Sequence, residues 1–200
     1  MVTLLEMGKF LAPTIVAPLG AVETERLLLR RFELNDLDGL AAVFAHPEVW
    51  RYPYGRAFTR DETSTFLHNQ IEEWDELGFG CWIALLKATA QPIGYVGLSV
   101  PMFAPDILPA VEVGWRFAPT HWGNGYASEG ARTALREGFE TMGLTTICSL
   151  PQDINPSSYR VCERVGMTFE RVIACPATDR RGAVNARLYR MTAADWTQSA

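Results

Sequence analysis

Residues 111–128 read Val-Glu-Val-Gly-Trp-Arg-Phe-Ala-Pro-Thr-His-Trp-Gly-Asn-Gly-Tyr-Ala-Ser. The first seven have the composition of a β-strand, Gly123 and Gly125 sit in a short loop, and a helix is expected to open near Tyr126. Glycines let a backbone turn tightly and bring several N–H groups to one point. A helix N-terminus adds unpaired donors and a partial positive charge. The chemistry this spacing suits is a cradle for a phosphate or pyrophosphate. No Gly-Lys-Ser/Thr follows, and the third glycine of a dinucleotide fingerprint is missing. A plain structural turn could carry the same two glycines, so both readings stand at this point.

The other residue types capable of chemistry are scattered. Cys81, Cys148, Cys162 and Cys175 form no C-x-x-C, and His46, His68 and His121 lie far apart. No metal site is therefore expected, and the cysteines read as buried free thiols of a reducing, cytoplasmic compartment. The 200 residues carry 18 Lys and Arg against 23 Asp and Glu, a net charge of −5. Duplex binding usually needs a basic excess, so nucleic acid is not expected as the main ligand. No apolar run reaches the length of a membrane span. Within residues 1–22 only Glu6 and Lys9 are charged and 10–22 are apolar, but Pro13 and Pro18 interrupt that stretch, a single Lys precedes it and no A-x-A site follows. They read as an irregular extension, a start upstream of Met7 or an arm against a neighbour rather than a signal peptide.

The elements that must position the glycine loop follow from periodicity. A strand is expected over 26–30. Leu37, Leu40, Ala41 and Phe44 mark a helix behind an Asn35-Asp36 cap, ended by Pro47. Thr59 and Glu62 form a capping box for a second helix that runs to Gly78. Residues 81–85 and 93–100 read as an antiparallel hairpin, and 101–109 as a Pro-rich loop. Behind the glycine loop, Ala127, Ala131, Ala134, Leu135, Gly138 and Met142 share a helix face that ends at Gly143. A strand over 146–150, a helix over 155–165 closed by Gly166, and strands over 169–173 and 186–191 complete the chain. The expected fold is a single mixed α/β domain over 23–196. Its central sheet is mostly antiparallel, with helices on both faces.

The loop Trp122-Gly-Asn-Gly125-Tyr-Ala127 resembles the acyl-CoA pyrophosphate loop of the GNAT superfamily of N-acetyltransferases, [Q/R]-x-x-G-x-[G/A]. The stretch from Asn155 through Ser158, Arg160, Val161, Glu163 and Gly166 resembles that family's N-x-x-S-x-R-V-x-E-K-x-G helix. The opening Thr24-Glu-Arg26-Leu-Leu-Leu-Arg30 and His46-Pro-Glu-Val49 are similar to it too. These matches span about 23–191 in the right order, and the branch most resembled is that of the ribosomal-protein alanine N-acetyltransferases. Trp122 departs from the broad pattern, removing a side-chain phosphate contact while leaving the backbone amides.

The resemblance implies direct acetyl transfer from acetyl-CoA, used as co-substrate without a metal, to a primary amine. Trp122, Gly123, Asn124, Gly125, Tyr126, Ala127 and Ser128 would hold the pyrophosphate, and the backbone of Phe117 and Ala118 the pantetheine and oxyanion. Glu112 is the expected general base, the alternative being a surface carboxylate on an open sheet face. Its alternation places Glu112, Gly114 and Arg116 on one face. Where many members carry a catalytic Tyr there is Cys162, which reads as a packed thiol. Ser158 is then expected to assist the leaving thiolate, with Tyr159 in reserve, and Asn155 to cap the helix and meet the pantetheine.

The acceptor is not legible beyond an amine, small-molecule or peptide. Trp50, Tyr52 and Tyr54 could stack on it, or pack their loop against the core. A non-catalytic acyl-CoA-binding or regulatory module and a transferase of a longer acyl chain remain as alternatives. A homodimer paired through the sheet edge after Phe169 is compatible with the pattern.

Overall fold

A computed structural model describes residues 20–178 and 181–199. One eight-stranded sheet runs through it: β1 (Val22–Glu23), β2 (Leu27–Arg30), β3 (Cys81–Leu86), β4 (Pro92–Ser99), β5 (Glu112–Phe117), β6 (Thr146–Ser149), β7 (Thr168–Cys175) and β8 (Val184–Thr192). Their spatial order is β1-β2-β3-β4-β5-β6-β8-β7. Every neighbouring pair is antiparallel except β5 and β6, which are parallel and share one paired position, Glu112 opposite Cys148.

Alternation along the strands assigns a helix layer to each face. On one face Cys81, Ile83 and Leu85 pack with Leu40, Val43 and Phe44 of α1 (Leu37–Phe44) and Leu67 of α2 (Arg60–Leu77). On the other, Trp82, Val96, Leu98 and Val113 pack with Ala131, Ala134 and Leu135 of α3 (Tyr126–Arg136). A fourth helix, α4 (Pro156–Arg164), turns Val161 and Cys162 toward that second core. The mixed α/β fold with a mostly antiparallel sheet is as expected. No helix among the described residues is long and apolar enough to cross a membrane.

Several boundaries differ from the periodicity reading. The sheet begins at Val22, so one residue assigned to the N-terminal extension belongs to the edge strand; residues 1–19 lie outside the described residues. Asp36 is more than a cap. It is buried at 8% exposure, and Arg30 donates to its two carboxylate oxygens at 2.8 and 2.6 Å. A helical turn over Leu34–Asp36 therefore precedes α1. The Thr59–Glu62 capping box forms as expected, with Glu62 N donating to Thr59 Oγ1 at 3.2 Å and Thr59 N to Glu62 Oε2 at 2.8 Å. Beyond Arg136 the helix widens over Glu137–Thr141 before Gly143, at φ +74°, ends it. A final helix, α5 (Ala193–Ser199), was not anticipated.

Small residues bring α3 close to the sheet. A Cβ on Gly130 would sit 2.6 Å from Val96 Cγ1, on a stiff branched side chain that cannot swing away. The helix N-terminus, and the loop before it, are held against β4 and β5 by this approach. Gly130→Val is expected to cost about 1–3 kcal/mol through overpacking. Urea unfolding should show a lowered midpoint at an unchanged slope, and an unchanged midpoint would contradict the close approach.

Candidate active site

After Glu112 and Cys148 the strands β5 and β6 part. Three bonds hold the fork: Cys148 N donates to Val111 O at 2.9 Å, Ser149 Oγ to Val113 O at 2.9 Å, and Leu150 N to the Glu112 carboxylate at 3.2 Å. Past the fork, β5 remains paired to β4 through Phe117. Backbone groups alternate direction along a strand, so the N–H and C=O of Val113, Trp115 and Phe117 face the gap. An interior strand edge left open in this way is a row of donors and acceptors for an extended ligand. Two groups expected to serve there are already engaged. Ala118 N donates to Ile93 O at 2.8 Å, and Phe117 O accepts from the indole of Trp122 at 2.8 Å.

That second bond gives Trp122 a role the pattern does not reveal. Its ring is half exposed, and its N–H staples the glycine loop to the end of β5. Gly123 and Gly125 stand at φ +78° and +84°, conformations that an L side chain strains. Gly125 caps α3, and the N–H groups of Tyr126, Ala127 and Ser128 precede the first helical bond partner, Glu129 N to Gly125 O at 3.0 Å. Those free donors are the ones an anion would meet. Ser128 itself is buried, and its hydroxyl accepts from Arg164 at 3.3 Å, tying α3 to α4.

A latch from the other end of the chain fixes this loop. Arg26 donates to Glu129 Oε2 through Nε at 2.7 Å and to Asn124 O through Nη1 at 2.8 Å. Glu129 Oε1 accepts from Arg26 N at 2.8 Å and meets Thr24 Oγ1 at 2.5 Å. Burial alone would raise the Glu129 carboxyl, but the bonds from Thr24 and Arg26 outweigh it and hold it below the usual range. Thr24, Arg26 and Glu129 were present in the matched sequence without an assigned task; their task is bracing the loop.

Glu112 lies at the fork. The residue keeps part of its surface, yet its carboxyl sits among protein atoms, and burial pushes it up to about 7. The Leu150 N–H opposes that rise, and the charge of Glu73 on α2 adds to it. Glu112 is therefore no solvated surface carboxylate. Across the gap stands α4, capped by Asn155, whose Oδ1 accepts from Ser158 N at 3.3 Å. Cys162 is fully buried beside Ser149, and burial first of all drives its thiol up to about 12. Ser158, one turn earlier, shares that face, and its hydroxyl bonds to no other described residue. Tyr159 lies under the Arg187 guanidinium at 4.4 Å. Ser149, which ties the fork to α4, carried no sequence signal beyond being polar in a short apolar strand.

The aromatic loop divides. Trp50 keeps 4% of its surface, stacks on Phe58 at 3.9 Å between centroids and lies under the Arg116 guanidinium at 3.9 Å. It is a core residue rather than a stacking platform. Tyr52 and Tyr54 are half-buried. Arg116 ties this loop to β5 by donating to the carbonyls of Val49 and Tyr52. Among the described residues no group of three or more His, Cys, Asp or Glu is placed to hold a metal ion.

A parted parallel pair thus lies beside a glycine-capped helix, and comparison with known proteins gives the class. A family model described as "Acetyltransferase (GNAT) domain" matches residues 26–168, and the chain belongs to that family of acyltransferases. It is 34% identical over 151 residues to YkkB of Bacillus subtilis, covering 75% of this chain and 86% of that one. It is 31% identical over 169 residues to the FsC-acetyl coenzyme A-N(2)-transacetylase of Aspergillus fumigatus, covering 75% and 66%. A GNAT acetyltransferase structure from Bacillus anthracis superimposes with a TM-score of 0.71 at 26% identity, over 87% of this chain and 99% of that one. Ribosomal-protein-S5-alanine acetyltransferase from Vibrio fischeri shares the fold, with a TM-score of 0.68 at 19% identity, over 88% and 98%.

Two outcomes follow from this geometry. Arg26→Met should release the loop and weaken acetyl-CoA binding by roughly tenfold or more, the loss of a charge-assisted anchor; calorimetry with unchanged affinity would contradict the latch. The second concerns Glu112. Folding raises its carboxyl from 4.5 to about 7, so the folded state binds the extra proton and loses that advantage as pH rises through this window. Glu112→Gln, neutral throughout, should melt above the wild type near pH ~8 and converge with it near pH ~5. Equal melting at both would contradict the buried carboxyl.

Proposed function

We propose that this protein transfers the acetyl group of acetyl-CoA directly to a primary amine, with Glu112 as general base. The observation carrying this reading is the position of Glu112, a buried carboxyl with a raised proton affinity, at the fork where β5 and β6 part. The pyrophosphate would take the free N–H groups from Gly123 to Ser128. Pantetheine would lie in the gap along the open edge of β5, bonding Trp115 and Phe117 and meeting the side-chain Nδ2 of Asn155. Four cysteines held as buried free thiols fit a cytoplasmic enzyme.

An alkylamine with a pKa near ~10.4 arrives protonated and must lose a proton before it can attack. A carboxylate of ordinary pKa is a weak base for that task; one near 7 is better matched at neutral pH. The neutral nitrogen adds to the thioester carbonyl carbon, forming the C–N bond and an oxyanion that takes a free N–H on the open edge of β5. Collapse breaks the C–S bond, and the electron pair leaves on sulfur. The second nitrogen proton passes to the thiolate, which the Ser158 hydroxyl stabilises. The products are the amide, CoA thiol and the proton first taken by Glu112.

Since the ionised carboxylate is the active form, kcat/KM for acetylation should rise with pH through about 7. Glu112→Gln is expected to lower kcat by roughly 10²–10⁴-fold and abolish that limb. Thiol release by the variant with an unshifted pH profile would remove Glu112 from the mechanism.

A further inference from the structure

The face of β5 that carries Glu112 borders an open space. A Cβ built on Gly114 would meet no atom within 4 Å, whereas its flanking residues on that face are Glu112 and Arg116. Along β4 the matching row is Tyr95, Gly97 and Ser99, opposite Arg116, Gly114 and Glu112. Helix α2 runs above this row. Its Phe66 lies 5.2 Å from Tyr95, and the Glu73 carboxylate accepts from Val100 N at 3.4 Å. Phe66, Gln70 and Glu73 share one face of α2 at helical spacing, so Gln70 lies over the glycine stretch between the two contacts.

The polar groups turned to this space have a common character. Gln70 Nε2 donates to Glu73 Oε2 at 3.1 Å, which leaves the amide carbonyl free; that Gln70 Oε1 is buried and has no partner among the described residues. Glu73 is 8% exposed and makes no ion pair among the described residues, and its charge acts on Glu112. The cation bordering the space, Arg116, is directed away, bonded to Val49 O, Tyr52 O and Tyr95 OH and stacked on Trp50. The lining thus offers two carboxyls, bonded by the uncharged donors Gln70 Nε2, Val100 N and Leu150 N, and one orphan carbonyl. A buried acceptor left unbonded is costly, and a donor-only, positively charged group satisfies all three.

We propose that Gln70 and Glu73 form a subsite for a second ammonium group, so that the acceptor is a diamine: one nitrogen reacts at Glu112 while the other is held by Glu73 and Gln70 Oε1. This assignment rests on the reading of Glu112 as the base of the acetyl transfer. Glu73 is a specificity-determining residue here. It engages the substrate away from the reacting atoms and acts on KM more than on kcat. A monoamine of equal length would place a methyl group against the carboxyl and leave it unpaired, the stronger form of discrimination.

The test compares α,ω-diamines of propane, butane and pentane with the n-alkylamines of the same lengths, by thiol release from acetyl-CoA. Wild type should favour a diamine over its monoamine by roughly ten- to hundredfold in kcat/KM. Glu73→Gln should raise KM for the diamine about tenfold with kcat little altered, and Gln70→Leu should shift the ratio the same way. A wild-type ratio near one overturns the proposal, even if Glu73→Gln should not fold. A full preference retained in a folded Glu73→Gln overturns it as well. Acetyl-CoA binding, read by a melting shift, separates the two levels. Binding without acetylation of any diamine sinks the acceptor assignment alone, whereas no binding sinks the proposed acetyl transfer with it.

Discussion

The parting of β5 from β6 is the constraint on which the rest of the structure depends. A sheet normally satisfies every interior backbone group through its neighbours, and an unbonded N–H or C=O inside a protein is costly. Here one parallel pair, Glu112 and Cys148, is made and then the strands diverge. The divergence is stabilised where it begins by side chains standing in for backbone partners. Ser149 takes the Val113 carbonyl and Glu112 takes the Leu150 amide. What stays open further along is the edge of β5 that an extended amide-bearing ligand can complete. The same fork places the carboxyl of Glu112 where such a ligand would end.

The other pieces hold that opening in register with its anion cradle. Small residues let α3 approach the sheet, and two left-handed glycines turn the chain into its first helical donors. Trp122 fastens the loop to β5 from one side, while Thr24 and Arg26, in the turn between β1 and β2, fasten it from the other through Glu129 of α3. A segment about a hundred residues away in sequence therefore converges with β5 and α3 on one loop. Such bracing lowers the ordering cost that a ligand would otherwise meet on binding. Buried Glu112 and Glu73 pull the other way, since each carries a carboxyl whose ionised form the fold disfavours. Their presence makes sense for a site that needs charge more than stability.

Much of this was legible in the residues because it rests on local rules. The Thr59–Glu62 capping box, the hairpin of β3 and β4, and the glycine-capped α3 follow from spacing within a dozen residues. Helix α5 was missed although its signal is local: Asp195 N donates back to Thr192 Oγ1 at 3.2 Å, a cap that Thr192-Ala-Ala-Asp195 spells out. What escaped was contact between distant segments. Nothing in Thr24 or Arg26 announces Glu129, and nothing in Trp50 decides between a stacking platform and the core it joins. A single strand of alternation places Glu112 on a face, but only the packing of α2 above it and the pairing of β6 beside it reveal that its carboxyl is buried. The orphan carbonyl of Gln70 is visible only once Glu73 is seen to hold the amide's other end.

The central claim is that acetyl-CoA occupies the fork between β5 and β6, with its pyrophosphate on the loop before α3. Backbone amide hydrogen exchange, resolved by residue with and without acetyl-CoA, tests this most directly. Exchange should slow at Trp115 and Phe117 and from Gly123 to Ser128, while the β2–β3 ladder stays as it was. Slowing confined to other surfaces, or absent altogether, would contradict the account.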